Sequence, residues 1–363
     1  MASSGKFERF RTALEANRHM QLALAIPIGI AGGFAASAIH MPLAWMLGPF
    51  IFCAAVSLMG IPLRGIPHGR EVGQVVVGLS VGMRFTGAVL AATLALLPAM
   101  FASTLFVMTV TTIAAFILIP IARIDQPTAF FATAAAGMAD MASIAEHRGG
   151  NPSAVSVVHA IRVALVVLSV PILVFAFGEH GAAIHAAAAH RNDILSVLLA
   201  IVAGYIAARL FGLTHFPNPW LIGGVLFGGF LGVTELFVVS FPRIVMIMAQ
   251  LAIGLSLGAR FERELLLRLP RVAFGAAIVT VFLIIATAAG AWLLSNLTDL
   301  PYSVSFLSMA PAAITEMALT AQAMHVDAQV VTAFHVMRIA LVEMSILVVY
   351  ALFRKIAAAS PAV

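Results

Sequence analysis

AAAGMADMASIAEHRGGNPSAVSVVHAIR, residues 134–162, is written a second time at residues 310–338 as APAAITEMALTAQAMHVDAQVVTAFHVMR. Asp140 corresponds to Glu316, His159 to His335 and Arg162 to Arg338, each 176 residues on (316 − 140 = 176). A carboxylate, a histidine and an arginine thus recur at one spacing inside two apolar regions. Charge in such surroundings is costly and is kept where it works. The pattern predicts a binding or coupling site assembled from two related halves.

Composition sets the surroundings. Of 363 residues, 62% are hydrophobic and 10% charged, with mean hydropathy +1.07. A soluble domain is about half apolar and about a quarter charged, so the chain reads as a multi-span membrane protein whose first partner is the lipid bilayer. The net charge is +5, but the basic residues sit singly in short loops between apolar runs. That is the habit of topogenic charge rather than of a phosphate-binding face, so no nucleic-acid partner is expected. The single cysteine, Cys53, allows no intrachain disulfide. Lys6, Arg9, Arg11 and Arg18 ahead of an apolar run from Leu22 resemble a signal peptide. The same run has a counterpart at about 195–213 in the second half, so it reads as an uncleaved first span.

Working outward, each half gives six segments in one order, at 21–39, 43–60, 71–83, 98–121, 127–146 and 152–177, then at 195–210, 218–240, 244–259, 271–296, 301–324 and 328–352. Gln74, Gly78, Ser80, Gly82 and Arg84 recur as Gln250, Gly254, Ser256, Gly258 and Arg260 at the same offset of 176. Pro42, Trp45 and Gly48 recur as Pro217, Trp220 and Gly223 at 175, a loop indel away. The expected organisation is an N-terminal tail (1–19), transmembrane repeat 1 (20–177), a polar linker (178–194), transmembrane repeat 2 (195–352) and a C-terminal tail (353–363). Internal repeats of this kind are a mark of secondary transporters.

The fifth segment of each half is different. Pro311 in one copy and Gly137 in the other stand just ahead of the carboxylate, which predicts a broken helix or a re-entrant hairpin. The basic residues favour the hairpin. Setting aside Arg162 and Arg338, 18 of the 20 basic residues lie in loops and tails. If every segment crosses, 11 fall inside and 7 outside; if the fifth turns back, 15 fall inside, with only Arg84, Arg191 and Arg243 outside. Five crossings per half would then make the repeats inverted, with both termini cytoplasmic in a bacterial inner membrane. The expected fold is therefore all-α and polytopic, two inverted repeats of about five spanning helices, each with one broken or re-entrant element. Gly78 and Gly82, Gly254 and Gly258, and Gly224, Gly228 and Gly232 give G-x-x-x-G spacings suited to close helix packing. The connector Arg260–Arg271 alternates charge with leucine and reads as a surface segment.

The paired DMA and EMA motifs, the H-x-x-R helices after them and the duplicated G-L-S-x-G-x-R-F segments resemble the AbrB-type duplicated membrane protein family, over about residues 20–352. The second copy is the more family-like. The first has Ala135 where Pro311 stands and Asp140 in place of Glu316. The resemblance implies a polytopic inner-membrane protein, sometimes described as a regulator of gene expression. An older label for the family is ammonia monooxygenase.

Each candidate residue carries a second, plainer reading. Arg162 and Arg338, three residues after His159 and His335, share a helix face with them and suit a carboxylate or phosphate. They could equally neutralise Asp140 or Glu316 and cap carbonyls freed by the break. Asp140 and Glu316 could carry a coupling proton or help to hold a cation. Thr315, Ser143 and Gln322 are polar neighbours, and Glu343, where the first copy has Val167, is an unmatched acid in an apolar helix. Gln74, Gln250, Ser80 and Ser256 suit interhelical hydrogen bonds, and Trp45 and Trp220 suit interface anchors. His180, His185 and His190 are five apart and share no helix face, so neither a metal centre nor any cofactor is expected.

The sequence therefore reads as a non-enzymatic secondary transporter or permease for a small anionic solute, coupled to a proton or cation. A membrane-embedded regulator acting through a partner and a metal-dependent monooxygenase are the alternatives. Assembly into a homo-oligomer stays open.

Overall fold

The computed structural model describes residues 17–178 and 193–359, together with Leu14. Lys6, Arg9, Arg11, Arg191 and the histidines His180, His185 and His190 lie outside the described residues, as does most of the expected linker. Every regular element among the described residues is helical. The first half contributes α1 (Arg18–Ala38), α2 (Ala44–Leu58), α3 (Gly69–Gly82), α4 (Gly87–Ala95), α5 (Leu97–Ala122), α6 (Gln126–Thr133), α7 (Met138–His147) and α8 (Pro152–Phe177). The second contributes α9 (Ile194–Phe211), α10 (Pro219–Thr234), α11 (Arg243–Gly258), α12 (Arg263–Arg268), α13 (Pro270–Leu297), α14 (Tyr302–Met309), α15 (Ile314–Ala323) and α16 (Ala328–Ala359).

The two series match helix for helix, including a pair that the segment reading passed over. α4 begins at Gly87 and α12 at Arg263, again 176 apart, so a short connector helix follows the third segment in each half. Its sequence is apolar in one copy (GAVLAATLA) and charged in the other (RELLLR), which hides the kinship. Seven helical stretches among the described residues are long and apolar enough to cross a membrane, which makes this a multi-pass membrane protein. α2 and α10 are apolar but shorter, at 15 and 16 residues, and α3 has 14. The expected 218–240 segment ends at Thr234, where Glu235 turns left-handed (φ 55°).

The compact bodies do not follow the repeats. Unit 1 is Met1–Arg84 with Ala187–Glu264, and unit 2 is Phe85–Ala186 with Leu265–Val363. Each unit is thus built from the same portion of both halves. The reason is exchange of partners. Within unit 1, α3 packs on α10 and α11 packs on α2, so the third helix of each repeat lies on the second helix of the other.

Glycine permits that approach. A Cβ at Gly78 would stand 2.5 Å from the carbonyl oxygen of Leu221, and one at Gly82 would stand 2.4 Å from that of Val225. In the sister contact, Gly254 and Gly258 face the carbonyl oxygens of Met46 and Phe50 at 2.3 and 2.7 Å. Backbone meets backbone, as small-x-x-x-small spacing allows. The related helices α3 and α11 also cross each other. Gly65, Gly69 and Gly73 meet Ser256, Ala252 and Ala249 in turn, so one chain descends as the other climbs.

Unit 2 repeats the scheme with α5 and α13. Gly275 lies against Leu118 and Ala122, and Gly290 against Phe106, again an antiparallel pair of related helices. α8 packs on α13 and α16 on α5. Phe130 and Phe131 on α6 meet Tyr350 on α16 with ring centroids 5.2 and 4.8 Å apart, and Phe353 lies 5.1 Å from Phe130. This aromatic cluster fixes the first interrupted element against the last helix.

Candidate functional site

All eight candidate binding residues lie in unit 2, placed by two interrupted elements and the helices that follow them. The first starts with Asp125, whose carboxylate accepts from the backbone N–H of Thr128 at 2.8 Å and from its hydroxyl at 2.8 Å. α6 then runs eight residues and stops, because Ala134 turns extended (φ −53°, ψ 138°) and Gly137 stays so (ψ 132°). α7 takes over for ten residues. Gly149, at φ +82°, turns the chain, and Asn151 donates its backbone N–H to the Thr128 hydroxyl oxygen at 2.7 Å. The end of the element has returned to its beginning. At 1.5 Å per residue, the two arms reach about 12 and 15 Å, roughly half of a bilayer core. The element is a helical hairpin with an unwound tip.

The second has the same form. α14 ends at Met309, Ala310 turns extended with nearly the same angles as Ala134 (φ −52°, ψ 137°), and α15 starts at Ile314. Pro311 sits in the break, as expected, but the first hairpin breaks at the matching place with alanine there. Proline therefore does not set the break. What the two breaks share is an arginine on the helix that follows.

A helix that stops leaves its last carbonyls without partners, and buried carbonyls need them. Arg162 supplies them in the first hairpin: one Nη donates to the carbonyls of Thr133 and Ala134, both at 2.9 Å. Its other Nη lies 3.0 Å from His159 Nδ1, and His159 Nε2 lies 3.1 Å from the carbonyl of Phe131. A carbonyl can only accept, so Nε2 carries the proton and Nδ1 accepts from the guanidinium. The second copy is built alike. Arg338 donates to Ala310 O at 2.8 Å and to Ala312 O at 3.0 Å. Its Nη2 lies 2.6 Å from His335 Nδ1, and His335 Nε2 lies 2.9 Å from Leu307 O. All four side chains are buried. The Nη donors thus serve the hairpin tips, while each Nε is buried with no hydrogen-bond partner among the described residues.

The carboxylates diverge. Both stand in the first turn of the second arm, where the helix dipole favours negative charge. Asp140 is exposed, whereas Glu316 and Thr315 are each 1% exposed. Glu343 on α16 is half-buried and keeps Oε1 buried with no hydrogen-bond partner among the described residues. Ser143 is exposed and Gln322 half-buried. The second hairpin also carries the buried hydroxyls of Ser303, Ser305 and Ser308, and Thr332 adds one from α16; none has a hydrogen-bond partner among the described residues. The reading from sequence missed these. The signal was S-x-S-x-x-S in an apolar arm, where the first copy has Pro127, Ala129 and Ala132. Beside the first tip, a crevice of about 10 Å³ lined by Thr111, Thr112, Ala134 and Ala135 has room for about one water.

Duplicated helices together with two interrupted helical elements define a polytopic membrane protein. The model of one family, described as "Transition state regulatory protein AbrB", matches residues 3–120 and 45–354. The chain belongs to this AbrB family. It is 27% identical to the Bacillus subtilis protein named "Uncharacterized protein YhjN" over 341 residues, covering 87% of this chain and 89% of that one. It is 25% identical to the Escherichia coli protein named "Putative regulator AbrB" over 314 residues, covering 83% and 87%.

Proposed function

We propose that this chain is a secondary transporter of a small anionic solute, coupled to a proton or cation, and that the hairpin tips of unit 2 are where both bind. The observation that carries the reading is the pair of unwound tips held by buried His–Arg couples. Breaking two helices inside an apolar body frees backbone groups that must be satisfied, and the chain spends two buried guanidiniums to do so. The tips also direct the first-turn N–H groups of α7 and α15 into the break, the arrangement by which interrupted helices meet anionic groups. Asp140 and Glu316 occupy those same first turns. An anion and an ionised carboxylate repel there, so a proton or cation must enter with the anion, and that is the coupling. The buried hydroxyls carried by the second hairpin make it the better cation site.

The topology we favour has five crossings per repeat, the hairpins re-entering without crossing, and both termini cytoplasmic in an inner membrane. Two relationships support it. Thr128 and Asn151 meet, so the first hairpin enters and leaves at one end. Arg70 and Arg260 line one cavity of unit 1, as inside loops would; with every segment crossing they would stand on opposite sides. The antiparallel crossings of α3 with α11 and of α5 with α13 support inverted repeats.

The test is uptake into proteoliposomes of labelled small carboxylates and oxyanions under imposed proton and sodium gradients. Gradient-driven uptake should be lost in Glu316→Gln while solute exchange persists. Gradient-driven uptake undiminished in a well-folded Glu316→Gln protein would refute the coupling, and absence of flux across the panel would refute transport. The names of the family and of the Escherichia coli relative favour a second reading, a membrane-embedded regulator acting through a partner. Co-purification of a specific partner whose activity changes with Glu316→Gln would support it. A metal-dependent monooxygenase is the remaining alternative, and a stoichiometric metal in the purified protein would support it.

A further inference from the structure

Unit 1 holds a cavity of about 290 Å³, lined by side chains from α3, α10, α11 and the turns beside them. It is far larger than the crevice at the hairpin tip, and none of the candidate transport residues lines it. Arg70 enters from the first turn of α3 and Arg260 from just past the end of α11. Between them the wall carries the buried Gln74, the half-buried Ser256 and the indole of Trp220. The one carboxylate on the wall, Glu71, is engaged by the Nδ1 of His68.

We propose that this cavity is a binding site for a phosphate-class oxyanion. Two guanidiniums give fork-shaped donors for paired oxygens. Ser256 adds a hydroxyl donor and Gln74 an amide donor, so the donors come from different helices. That suits a tetrahedral anion, which takes hydrogen bonds in three dimensions, better than a flat carboxylate. The cavity also lies at the N-terminal end of α3, where the helix dipole adds positive potential.

The duplication supplies a control within the molecule. Arg260 has a counterpart in Arg84, but Arg70, Glu71 and His68 correspond to Met246, Ile247 and Ile244. The second guanidinium and the engaged acid therefore belong to one end of the α3–α11 pair only, and this site does not depend on the transport reading. The phosphate could be free in solution or part of a lipid headgroup.

Equilibrium dialysis of the purified full-length protein with labelled inorganic phosphate tests the first source. Thermal shift in nanodiscs of phosphatidylglycerol against phosphatidylcholine tests the second. Arg70→Gln and Arg260→Gln should each weaken phosphate binding at least tenfold or abolish the phosphatidylglycerol shift, while Arg84→Gln leaves both intact. Phosphate binding alone identifies a solute site, and a phosphatidylglycerol shift alone identifies a headgroup site. Should Arg260→Gln fold poorly, Ser256→Ala with Arg70→Gln carries the test. Neither response in the wild type, or equal losses in Arg84→Gln, overturns the proposal.

Discussion

The backbone N–H of Asn151 ends 2.7 Å from the hydroxyl of Thr128, twenty-three residues earlier in the chain. That bond closes the first hairpin at its base, and the Thr128 hydroxyl is itself held by Asp125. The clasp joins the start of the first arm to the residue that opens the next helix.

Thr128→Val keeps shape and removes the clasp, leaving a part-buried donor without its acceptor. The expected cost is about 1–3 kcal/mol, read as a lower melting temperature in detergent and faster hydrogen exchange at Asn151. Thr128→Ser should restore both; equal damage from Ser and Val would exclude the hydrogen bond as the cause.

Replacing either intramembrane arginine by lysine preserves charge and loses the fork. Arg338 serves two carbonyls and one imidazole, and an ammonium on a different stem cannot meet all three. Each carbonyl left unmet costs about 1–3 kcal/mol. Arg338→Lys and Arg162→Lys should therefore both lower the melting temperature, and an unchanged temperature in both would rule out the capping role.

Glycine contacts in unit 1 should be unequal to glycines elsewhere. Gly82→Ala places a methyl 2.4 Å from a backbone oxygen, whereas a methyl at Gly87 meets nothing within 4 Å. Folded yield should fall sharply for Gly82→Ala and for its sister Gly258→Ala, but not for Gly87→Ala. Size-exclusion recovery after detergent extraction distinguishes them.

The two hairpin carboxylates should differ in access. With Cys53 buried, a cysteine at Asp140 should react quickly with a water-soluble maleimide, and one at Glu316 slowly. Equal rates would contradict the burial difference. In oriented vesicles, Arg123→Cys and Arg148→Cys should be labelled from one side; labelling from opposite sides would mean that the hairpin crosses.

The sequence alone determined the membrane class, the duplication and its offset, the helix list to within a few residues for most segments, and the His–Arg pairs that follow the two breaks. Composition and a fixed spacing carry that information, since each depends only on which residues occur and how far apart. It did not determine what the arginines hold. A guanidinium can meet a carboxylate or a carbonyl, and only the path of α6 and α14 past α8 and α16 puts Thr133, Ala134, Ala310 and Ala312 within its reach. Nor did it determine the compact units. Gly78 and Gly254 announced close contact, but the partner helix in each case comes from the other repeat, and local sequence cannot say which distant backbone a glycine will admit. The same holds for Arg70 and Arg260, separated by 190 positions (260 − 70 = 190) and joined only when α3 and α11 pack in opposite senses.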